Sequence, residues 1–351
     1  MIGNAKKVFI ALSGGVDSST TAAILQQNGF DCAGVFMITC DAGFDKQSEV
    51  KEAADQLGIK LYVLDLRKDF EQIFDYFCGE YKKGRTPNPC IVCNKLIKFG
   101  KLWDFARSNG AELFATGHYA RIIRHNTEFG LYEATDEAKD QSYALVMIDK
   151  NILPHIILPM GDYSKDQTRR MAAKFGLGTK DKQESQEICF IPDGDWVSAL
   201  ERRCPGLVRK GNIVDSSGKV LGEHNGVHRF TIGQRRGLHI AMGKPHYVVK
   251  IDAESNTVTL GPKEEVMHRR LRATGMNWLV DRPKTSFCAK VKIRYNDKGN
   301  PATVIPQGDS VMVEFDEPVS AITPGQLTCL LVQEGENSRI VGGGWIEKSG
   351  D

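Results

Sequence analysis

The ten residues Ala11-Leu-Ser-Gly-Gly-Val-Asp-Ser-Ser-Thr20 constrain the fold more than any other stretch of this 351-residue chain. The apolar run 8–12 predicts a buried strand, two glycines interrupt it, and a helix pattern follows over 18–27. Glycines permit positive φ angles and close approach of backbone N–H groups to an anion, and the helix dipole adds to the attraction. Hydroxyl donors come from Ser13, Ser18 and Ser19. The segment therefore predicts a phosphate site between a strand and a helix.

Two familiar phosphate motifs are excluded here. A Walker A loop ends in Gly-Lys-Ser/Thr, and the dinucleotide fingerprint requires G-x-G-x-x-G; residues 11–20 contain neither. Their Ser-Gly-Gly-x-Asp-Ser pattern resembles the pyrophosphate loop of ATP pyrophosphatases, which adenylate a substrate and release pyrophosphate. Asp17 is unusual in a pure anion site, unless it faces a bound cation such as Mg²⁺. A plain turn between a strand and a helix is the alternative interpretation.

Composition limits the class of protein. The length favours two or three domains, and no apolar run is long enough for a membrane span. The N-terminus leads directly into the first strand and does not resemble a signal peptide, so a cytoplasmic protein is expected. Fourteen Lys and Arg against six Asp and Glu lie between Arg202 and Arg272, although the whole chain carries only +2. This basic middle predicts a polyanionic partner.

Strands and helices alternate over the first 200 residues. Strands are predicted at 8–12, 32–38, 60–64 and 111–116, and helices at 48–57, where Ser48 would be the cap, at 68–81 and at 165–175. This order predicts an α/β domain with an open, mainly parallel sheet. Ligands of such sheets bind at the carboxyl ends of the strands. The loop at 13–18, Met37 and Gly117-His118 all fall there, so they predict one nucleotide pocket.

The remainder is rich in β-strands. After Pro205-Gly206, short strands are predicted at 212–214, 220–223, 228–231, 246–252 and 257–260, with a turn at Ser255-Asn256. A second set of six strands starts at 273, which fits a β-barrel. We therefore expect a catalytic domain over 1–203, a small central β domain over 204–268 and a C-terminal β-barrel over 269–351.

Two cysteines stand in settings that favour reactivity. Nine cysteines are an odd number, and Cys90-x-x-Cys93 favours reactive or metal-binding thiols over a disulfide framework. The prolines before them predict that a helix begins near Cys93, where the helix terminus, Lys95 and Lys98 would lower the thiol pKa. Cys189 follows a polar run far along the chain. The other isolated cysteines are expected to be structural: Cys32, Cys40, Cys78, Cys204, Cys288 and Cys329.

Seven motifs occur in the order found in tRNA-specific 2-thiouridylases, the MnmA/TrmU family of the PP-loop ATP pyrophosphatase superfamily. They begin at Ser13, Thr86, Gly117, Ser185, Thr231, Arg294 and Pro324, and they span nearly the whole chain. The resemblance implies ATP-dependent replacement of the C2 oxygen of the wobble uridine in tRNA by sulfur. Adenylation would turn that oxygen into a leaving group, and a cysteine persulfide would supply the sulfur. It also implies ATP and Mg²⁺, and a cysteine desulfurase or a sulfur-relay protein as donor.

The resemblance assigns residues to these roles. Cys93 would be the nucleophile, and Cys189 would carry the persulfide and then form a disulfide with Cys93. The nucleotide would be bound by Ala11, Leu12, Ser13, Gly14, Gly15, Val16, Asp17, Ser18, Met37 and Gly117. Asn88, Pro89 and Cys90 would line the pocket for the flipped-out target base. The tRNA would be contacted by His118, Lys139, Asp140, Gln141, Arg294, Tyr295 and Gln326.

One position departs from the family. Many members have Asp where this chain has Cys90, so a proton-handling role there is in doubt. Cys90, Cys93 and Cys189 would be enough to hold a [4Fe–4S] cluster with one open iron, which is an alternative route for sulfur delivery. Two other function classes are weighed. An amidotransferase-type adenylating enzyme would share only the pyrophosphate loop, and an RNA-binding or sulfur-carrier protein would use ATP as a switch.

Overall fold

The computed structural model describes residues 5–179, 194–240 and 243–350. Its contacts divide the chain into two compact units. The first unit draws on Met1–Ile73, Cys90–Pro192 and Gln333–Val341, and the second on Phe74–Pro89, Asp193–Val332 and Gly342–Asp351. Each unit is therefore assembled from stretches that lie far apart in the sequence.

A five-stranded parallel sheet forms the centre of the first unit. Its strand order is β3-β2-β1-β4-β7, and each neighbouring pair is parallel. The strands of this unit, in chain order, are β1 (Lys7–Ala11), β2 (Asp31–Ile38), β3 (Lys60–Asp65), β4 (Leu113–Ala115), β5 (Arg121–His125), β6 (Glu128–Tyr132) and β7 (Ile156–Ile157). The predicted open parallel sheet is confirmed, and so is the hairpin formed by β5 and β6.

Helices cover both faces of this sheet. They are α1 (Val16–Gln27), α2 (Ala42–Gln56), α3 (Arg67–Lys82), α4 (Pro89–Cys93), α5 (Trp103–Ser108) and α6 (Lys165–Lys174), and a π-helix over Asn94–Leu102 joins α4 to α5. On one face, Val8 and Ile10 of β1 share a core with Leu25 of α1. On the other face, Phe9 meets the edge of Phe105 of α5, with 6.3 Å between ring centroids. Side chains alternate across a strand, so one strand contributes to both layers. None of the helices in the described ranges is both long and apolar enough to cross a membrane.

Two helices begin earlier than the sequence suggests. The prediction that Ser48 caps a helix is wrong, because α2 begins at Ala42 and Ser48 lies inside it. The helix expected near Cys93 begins at Pro89, since proline lacks an N–H and its fixed φ suits the first helical position. Cys90 therefore lies in the first turn, and Cys93 ends α4 where the π-helix begins.

The second unit begins its β structure with a four-stranded sheet in the order β10-β11-β8-β9. Helix α7 (Trp196–Arg203) precedes β8 (Gly211–Asp215), β9 (Val220–His224), β10 (Tyr247–Asp252) and β11 (Thr257–Gly261). The strand predicted at 228–231 is wrong, since Val227–Arg229 is a 3₁₀ turn. That turn buries His228, whose Nε2 lies 2.8 Å from the Glu201 carboxylate of α7, and an extended strand would lose this contact.

A closed antiparallel barrel completes the second unit. Its strands are β12 (Met267–Trp278), β13 (Phe287–Lys292), β14 (Asn300–Gln307), β15 (Ser310–Ser320), β16 (Leu327–Glu334) and β17 (Asn337–Gly350). They follow the order β12-β15-β14-β13-β16-β17, and pairing of β12 with β17 closes the ring. The first residues of β17, Arg339 and Ile340, belong to the first unit and pair there with β6. The predicted C-terminal barrel is confirmed.

Candidate functional site

The turn between β1 and α1 has the form of an anion cradle. Gly14 has a φ of +72°, a conformation that side chains other than glycine rarely adopt. The Ser13 N–H donates to Ser18 Oγ at 3.2 Å, and Ser18 Oγ donates to Gly15 O at 3.2 Å, which fixes the turn. No side chain caps α1, so the N–H groups of its first turn are left for an external acceptor. An anion would find several donors and the positive end of a helix at this point.

Gly117 is required by close packing against this turn. A Cβ at Gly117 would lie 2.8 Å from the backbone N of Ser18 and 2.9 Å from Cβ of Asp17. The loop after β4 therefore touches the first turn of α1. Because β1 has β2 on one side and β4 on the other, the contact lies where the strand order reverses, the place where open sheets bind ligands. Met37 is half-buried near the end of β2, at the same edge of the sheet.

Asp17 is tied to α6 by a network that the sequence did not indicate. Lys165 Nζ lies 2.8 Å and 2.9 Å from the two Asp17 carboxylate oxygens. The Tyr119 hydroxyl donates to Asp17 at 2.8 Å and also lies 3.1 Å from the Thr168 hydroxyl. The cation that faces Asp17 in the structure is thus the Lys165 ammonium group. The only sequence signal is the Ser164–Gln167 capping box, which starts α6 at Lys165.

The two cysteines of the Cys-x-x-Cys motif have different environments. Cys93 is buried with 5% of its surface exposed, whereas Cys90 is exposed. Surrounding protein raises the pKa of the Cys90 thiol, and the Lys98 ammonium partly offsets this rise. The helix terminus expected to activate Cys93 lies at Cys90 instead, because the helix starts at Pro89.

His118 is held as a neutral imidazole beside the nucleotide edge. Burial, and then the positive charge of Lys98, lower its pKa well below the ordinary value. Lys98 Nζ lies 3.4 Å from Nε2, and the Thr116 hydroxyl lies 2.6 Å from Nδ1. An ammonium group can only donate, so Nε2 accepts and the proton of the ring is on Nδ1.

The segment Lys139-Asp140-Gln141 uses two of its side chains within the first unit. Asp140 is buried, and its carboxylate accepts from the Ala134 N–H at 2.9 Å and the Ser142 hydroxyl at 2.8 Å. The Gln141 Oε1 accepts from the Tyr119 N–H at 3.0 Å. These bonds fix the backbone on both sides of the half-buried Lys139.

The second unit presents the remaining predicted contacts. Arg294 and Tyr295 are exposed on a turn after β13, and the Asp297 carboxylate accepts from the Ile293 N–H at 3.0 Å at its base. Arg235 and Arg236 are exposed between β9 and β10. Gln326 is half-buried, and its amide donates to the backbone carbonyl of Thr86 at 2.9 Å. The structure therefore holds Gln326 against the same segment as Asn88 and Pro89.

Cysteine pairing differs from the expectation. Cys78 of α3 and Cys204, which follows α7, form a disulfide within the second unit, so they are not isolated structural cysteines. The stacked rings of Tyr81 and Trp196, 5.2 Å apart, pack the same two helices together. Residues this distant in sequence are brought together only by tertiary packing. Cys189 lies outside the described residues, and the structure groups no three His, Cys, Asp or Glu side chains as a metal site within the described ranges.

Chemically, the first unit offers a phosphate cradle, a paired carboxylate, a neutral imidazole and two thiols on one helix. Family models match the chain in three stretches: the tRNA methyl transferase HUP domain over 6–193, the tRNA methyl transferase PRC-barrel domain over 200–262 and the Aminomethyltransferase beta-barrel domain over 268–346. These stretches agree with the parallel sheet, the four-stranded sheet and the closed barrel.

Full-length relatives carry one name. The chain is 44% identical to the tRNA-specific 2-thiouridylase MnmA of Carboxydothermus hydrogenoformans, over 98% of both chains. It is 43% identical to the MnmA of Syntrophotalea carbinolica, over 97% of this chain and 98% of the relative. The MnmA of Clostridium acetobutylicum is also 43% identical, over 97% and 99%. With a phosphate cradle at the strand switch, paired thiols on a helix and this similarity along its length, the chain belongs to the family of tRNA-specific 2-thiouridylases.

Proposed function

We propose that this protein catalyses ATP-dependent 2-thiolation of the wobble uridine in tRNA. The observation that carries the proposal is the uncapped first turn of α1, packed on Gly117, in a chain similar to 2-thiouridylases along its length. In the first step the uridine C2 oxygen attacks the α-phosphorus of ATP, and pyrophosphate leaves. The turn from Ala11 to Ser18 would hold the departing phosphates through backbone N–H groups, and Met37 would pack against the base of the nucleotide.

The second step replaces adenylated oxygen with sulfur. The terminal sulfur of a Cys189 persulfide attacks C2, and the C–O bond breaks to release AMP. The Cys93 thiolate then attacks the inner sulfur of Cys189, the S–S bond to the transferred sulfur breaks, and its electron pair forms the C2 thiocarbonyl. This leaves a disulfide between Cys93 and Cys189, which a dithiol reductant must reduce before the next turnover.

Recognition of the tRNA would combine several surfaces. Asn88, Pro89 and Cys90 are our candidates for the pocket of the flipped-out base, since chemistry at C2 requires removal of the base from the stack. Arg294 and Tyr295 pair a guanidinium with an aromatic ring, which suits stacking on unpaired bases. Lys139 and His118 would contact the tRNA, while Asp140 and Gln141 would support them. We assign adenylation to 1–203 and tRNA contacts to 204–268 and 269–351.

The cofactors and partners follow from this reaction. ATP would enter with Mg²⁺, and a cysteine desulfurase or a sulfur-relay protein would load Cys189. Sulfur delivery from a [4Fe–4S] cluster on Cys90, Cys93 and Cys189 is the alternative. A substrate of this kind implies a cytoplasmic site of action. Analysis of iron and labile sulfide after anaerobic purification distinguishes the two routes, because only the cluster route requires iron in active protein.

The proposal is tested by mass analysis of tRNA nucleosides. The protein is incubated with unmodified tRNA, ATP, Mg²⁺, cysteine and a cysteine desulfurase, and 2-thiouridine is expected at the wobble position. Pyrophosphate release should depend on tRNA. Cys93→Ser and Cys189→Ser should stop thiolation, whereas Cys288→Ser, an exposed cysteine of the barrel, should leave it unchanged. Pyrophosphate release without tRNA, and no thiolated nucleoside, would instead favour a small-molecule adenylating enzyme.

A further inference from the structure

The segment before the cysteine helix is held by a turn of the barrel, and both lie in the second unit. The Thr86 N–H donates to the Pro324 carbonyl at 3.0 Å, and Gln326 Nε2 donates to the Thr86 carbonyl at 2.9 Å. Gln326 Nε2 also lies 3.5 Å from the Pro87 carbonyl. Two hydrogen bonds in opposite directions fix Thr86 against the turn, so the segment has little freedom to slide or rotate.

The turn itself is a rigid part of the barrel. The Gly325 N–H donates to the Ile346 carbonyl at 3.0 Å, and the Ile346 N–H donates back to the Gln326 carbonyl at 2.8 Å. Gly325 has a φ of +90°, and a Cβ there would lie 2.8 Å from Cβ of Arg85 and 3.0 Å from the backbone N of Thr86. Glycine is therefore required both by the backbone conformation and by the close approach of the segment.

A second contact holds Thr86 from the four-stranded sheet region. The Thr86 hydroxyl lies 3.3 Å from the Thr231 hydroxyl, and the Thr231 N–H donates to Gln234 at 3.1 Å. Pro87 and Pro89 are buried. Because Pro89 is the first residue of the helix that contains Cys90 and Cys93, fixing the segment fixes where that helix begins.

We infer that Gln326 is a positioning residue for thiolation: it fixes Thr86–Pro89, and with it the first turn of the cysteine helix, and it does not recognise a base of the tRNA. Its amide NH₂ group, the part of the side chain that would donate to a base, already faces two backbone carbonyls. The inference rests on the proposed function, since it assigns the segment to the thiolation centre. Displacing reacting groups by about 1 Å costs roughly a hundredfold in rate, so loss of this contact should appear in kcat.

The test separates positioning from base recognition. In Gln326→Leu, which keeps the size but removes the donor, kcat for 2-thiouridine formation should fall by about tenfold or more, while tRNA Kd stays within about twofold. Base recognition predicts the reverse, a tRNA Kd weakened about tenfold with kcat retained, and that result would overturn the inference. The matched control is Gln333→Leu, because Gln333 donates to Gly335 within the exposed end of β16 and should leave both constants unchanged.

A second variant reaches the segment without touching a side-chain donor. Gly325→Ala should reproduce the loss of kcat with normal tRNA binding, since its Cβ would push on Arg85 and Thr86. A readout independent of activity is the alkylation rate of exposed Cys90, followed by peptide mass in protein without ATP or tRNA. Both variants should change that rate by about threefold or more at an unchanged far-ultraviolet circular dichroism spectrum. An unchanged rate in both would refute positioning. If wild-type protein makes no 2-thiouridine, the proposed function fails, and the alkylation measurement still decides the inference.

Discussion

Lys165 Nζ lies within 2.8 Å and 2.9 Å of the two carboxylate oxygens of Asp17, although 148 positions separate the residues. The Lys165 side chain is 10% exposed and that of Asp17 is 30% exposed, so water screens the pair only in part. The pair joins the first turn of α6 to the first turn of α1. A carboxylate can therefore stand in an anion-binding turn, because a cation of the protein neutralises it.

Removing the ammonium group should harm both stability and adenylation. Lys165→Met leaves the Asp17 charge without this partner, and we expect the free energy of unfolding to fall by about 2 kcal/mol. Adenylation, measured as tRNA-dependent pyrophosphate release, should fall because α1 loses its support. Lys174→Met in the exposed last turn of α6 is the control. A double-mutant cycle with Asp17→Ala should give a coupling energy of about 1 kcal/mol or more, and simple additivity would contradict the pairing. Asp17→Ala should abolish adenylation and keep tRNA affinity within a few fold.

A methyl group at Gly117 should disable the nucleotide site. Gly117→Ala places Cβ 2.8 Å from the backbone N of Ser18, so the turn or the loop must move. We expect adenylation to fall by about a hundredfold. Gly79→Ala is the matched control, because a Cβ at Gly79 of α3 meets no atom within 4 Å and alanine favours helix by about 1 kcal/mol. Wild-type adenylation in Gly117→Ala would show that the loop after β4 does not position the cradle.

The neutral state of His118 should make stability depend on pH. Burial and Lys98 lower its pKa, so below about pH 6.5 the unfolded chain binds a proton that the folded protein does not. The free energy of unfolding should therefore fall as the pH decreases toward 5, by up to about 1.4 kcal/mol per pH unit from this group. His118→Gln cannot titrate and should remove that contribution. Urea denaturation at several pH values measures the difference, and equal slopes for the two proteins would contradict a lowered pKa.

Lys98 should control the reactivity of Cys90. The Lys98 charge lowers the pKa of the Cys90 thiol against the opposing effect of its surroundings. Lys98→Met should therefore raise that pKa, and the pH at which alkylation of Cys90 becomes fast should move upward. Lys95→Met, an exposed lysine in the same π-helix, is the control. An unchanged pH profile in Lys98→Met would rule out electrostatic control by Lys98.

The Cys78–Cys204 pair should be detectable as a disulfide. Peptide mapping of protein prepared without reductant should recover the two cysteines as one linked species, while exposed Cys90 and Cys288 are alkylated. Replacing either partner with Ser should lower the free energy of unfolding by about 2–4 kcal/mol, since the bond joins residues 126 positions apart. Full alkylation of both thiols under the same conditions would contradict the bond.

The sequence by itself determined the elements with strong local signals. Apolar runs and the glycine turn predicted β1, α1 and the neighbouring strands, because hydrophobic period and glycine conformation act over a few residues. The same holds for the turn at Ser255-Asn256, where Asn256 has the expected positive φ of 51°. Helix starts were less certain: Ser48 was mistaken for a cap, and Pro89 was not recognised as a first helical residue, since either residue type suits more than one position.

Only the tertiary structure decided which distant residues meet. Nothing local to Asp17 indicates Lys165, nothing near Cys78 indicates Cys204, and nothing near Thr86 indicates Gln326. Each of these pairs is created when separate elements pack, and the free energy of a hydrogen bond or ion pair depends on burial and on distances that no spacing in the sequence encodes. Residue types alone therefore indicated an enzyme with a phosphate turn and two reactive thiols, whereas folding determined the partners that hold those groups in place.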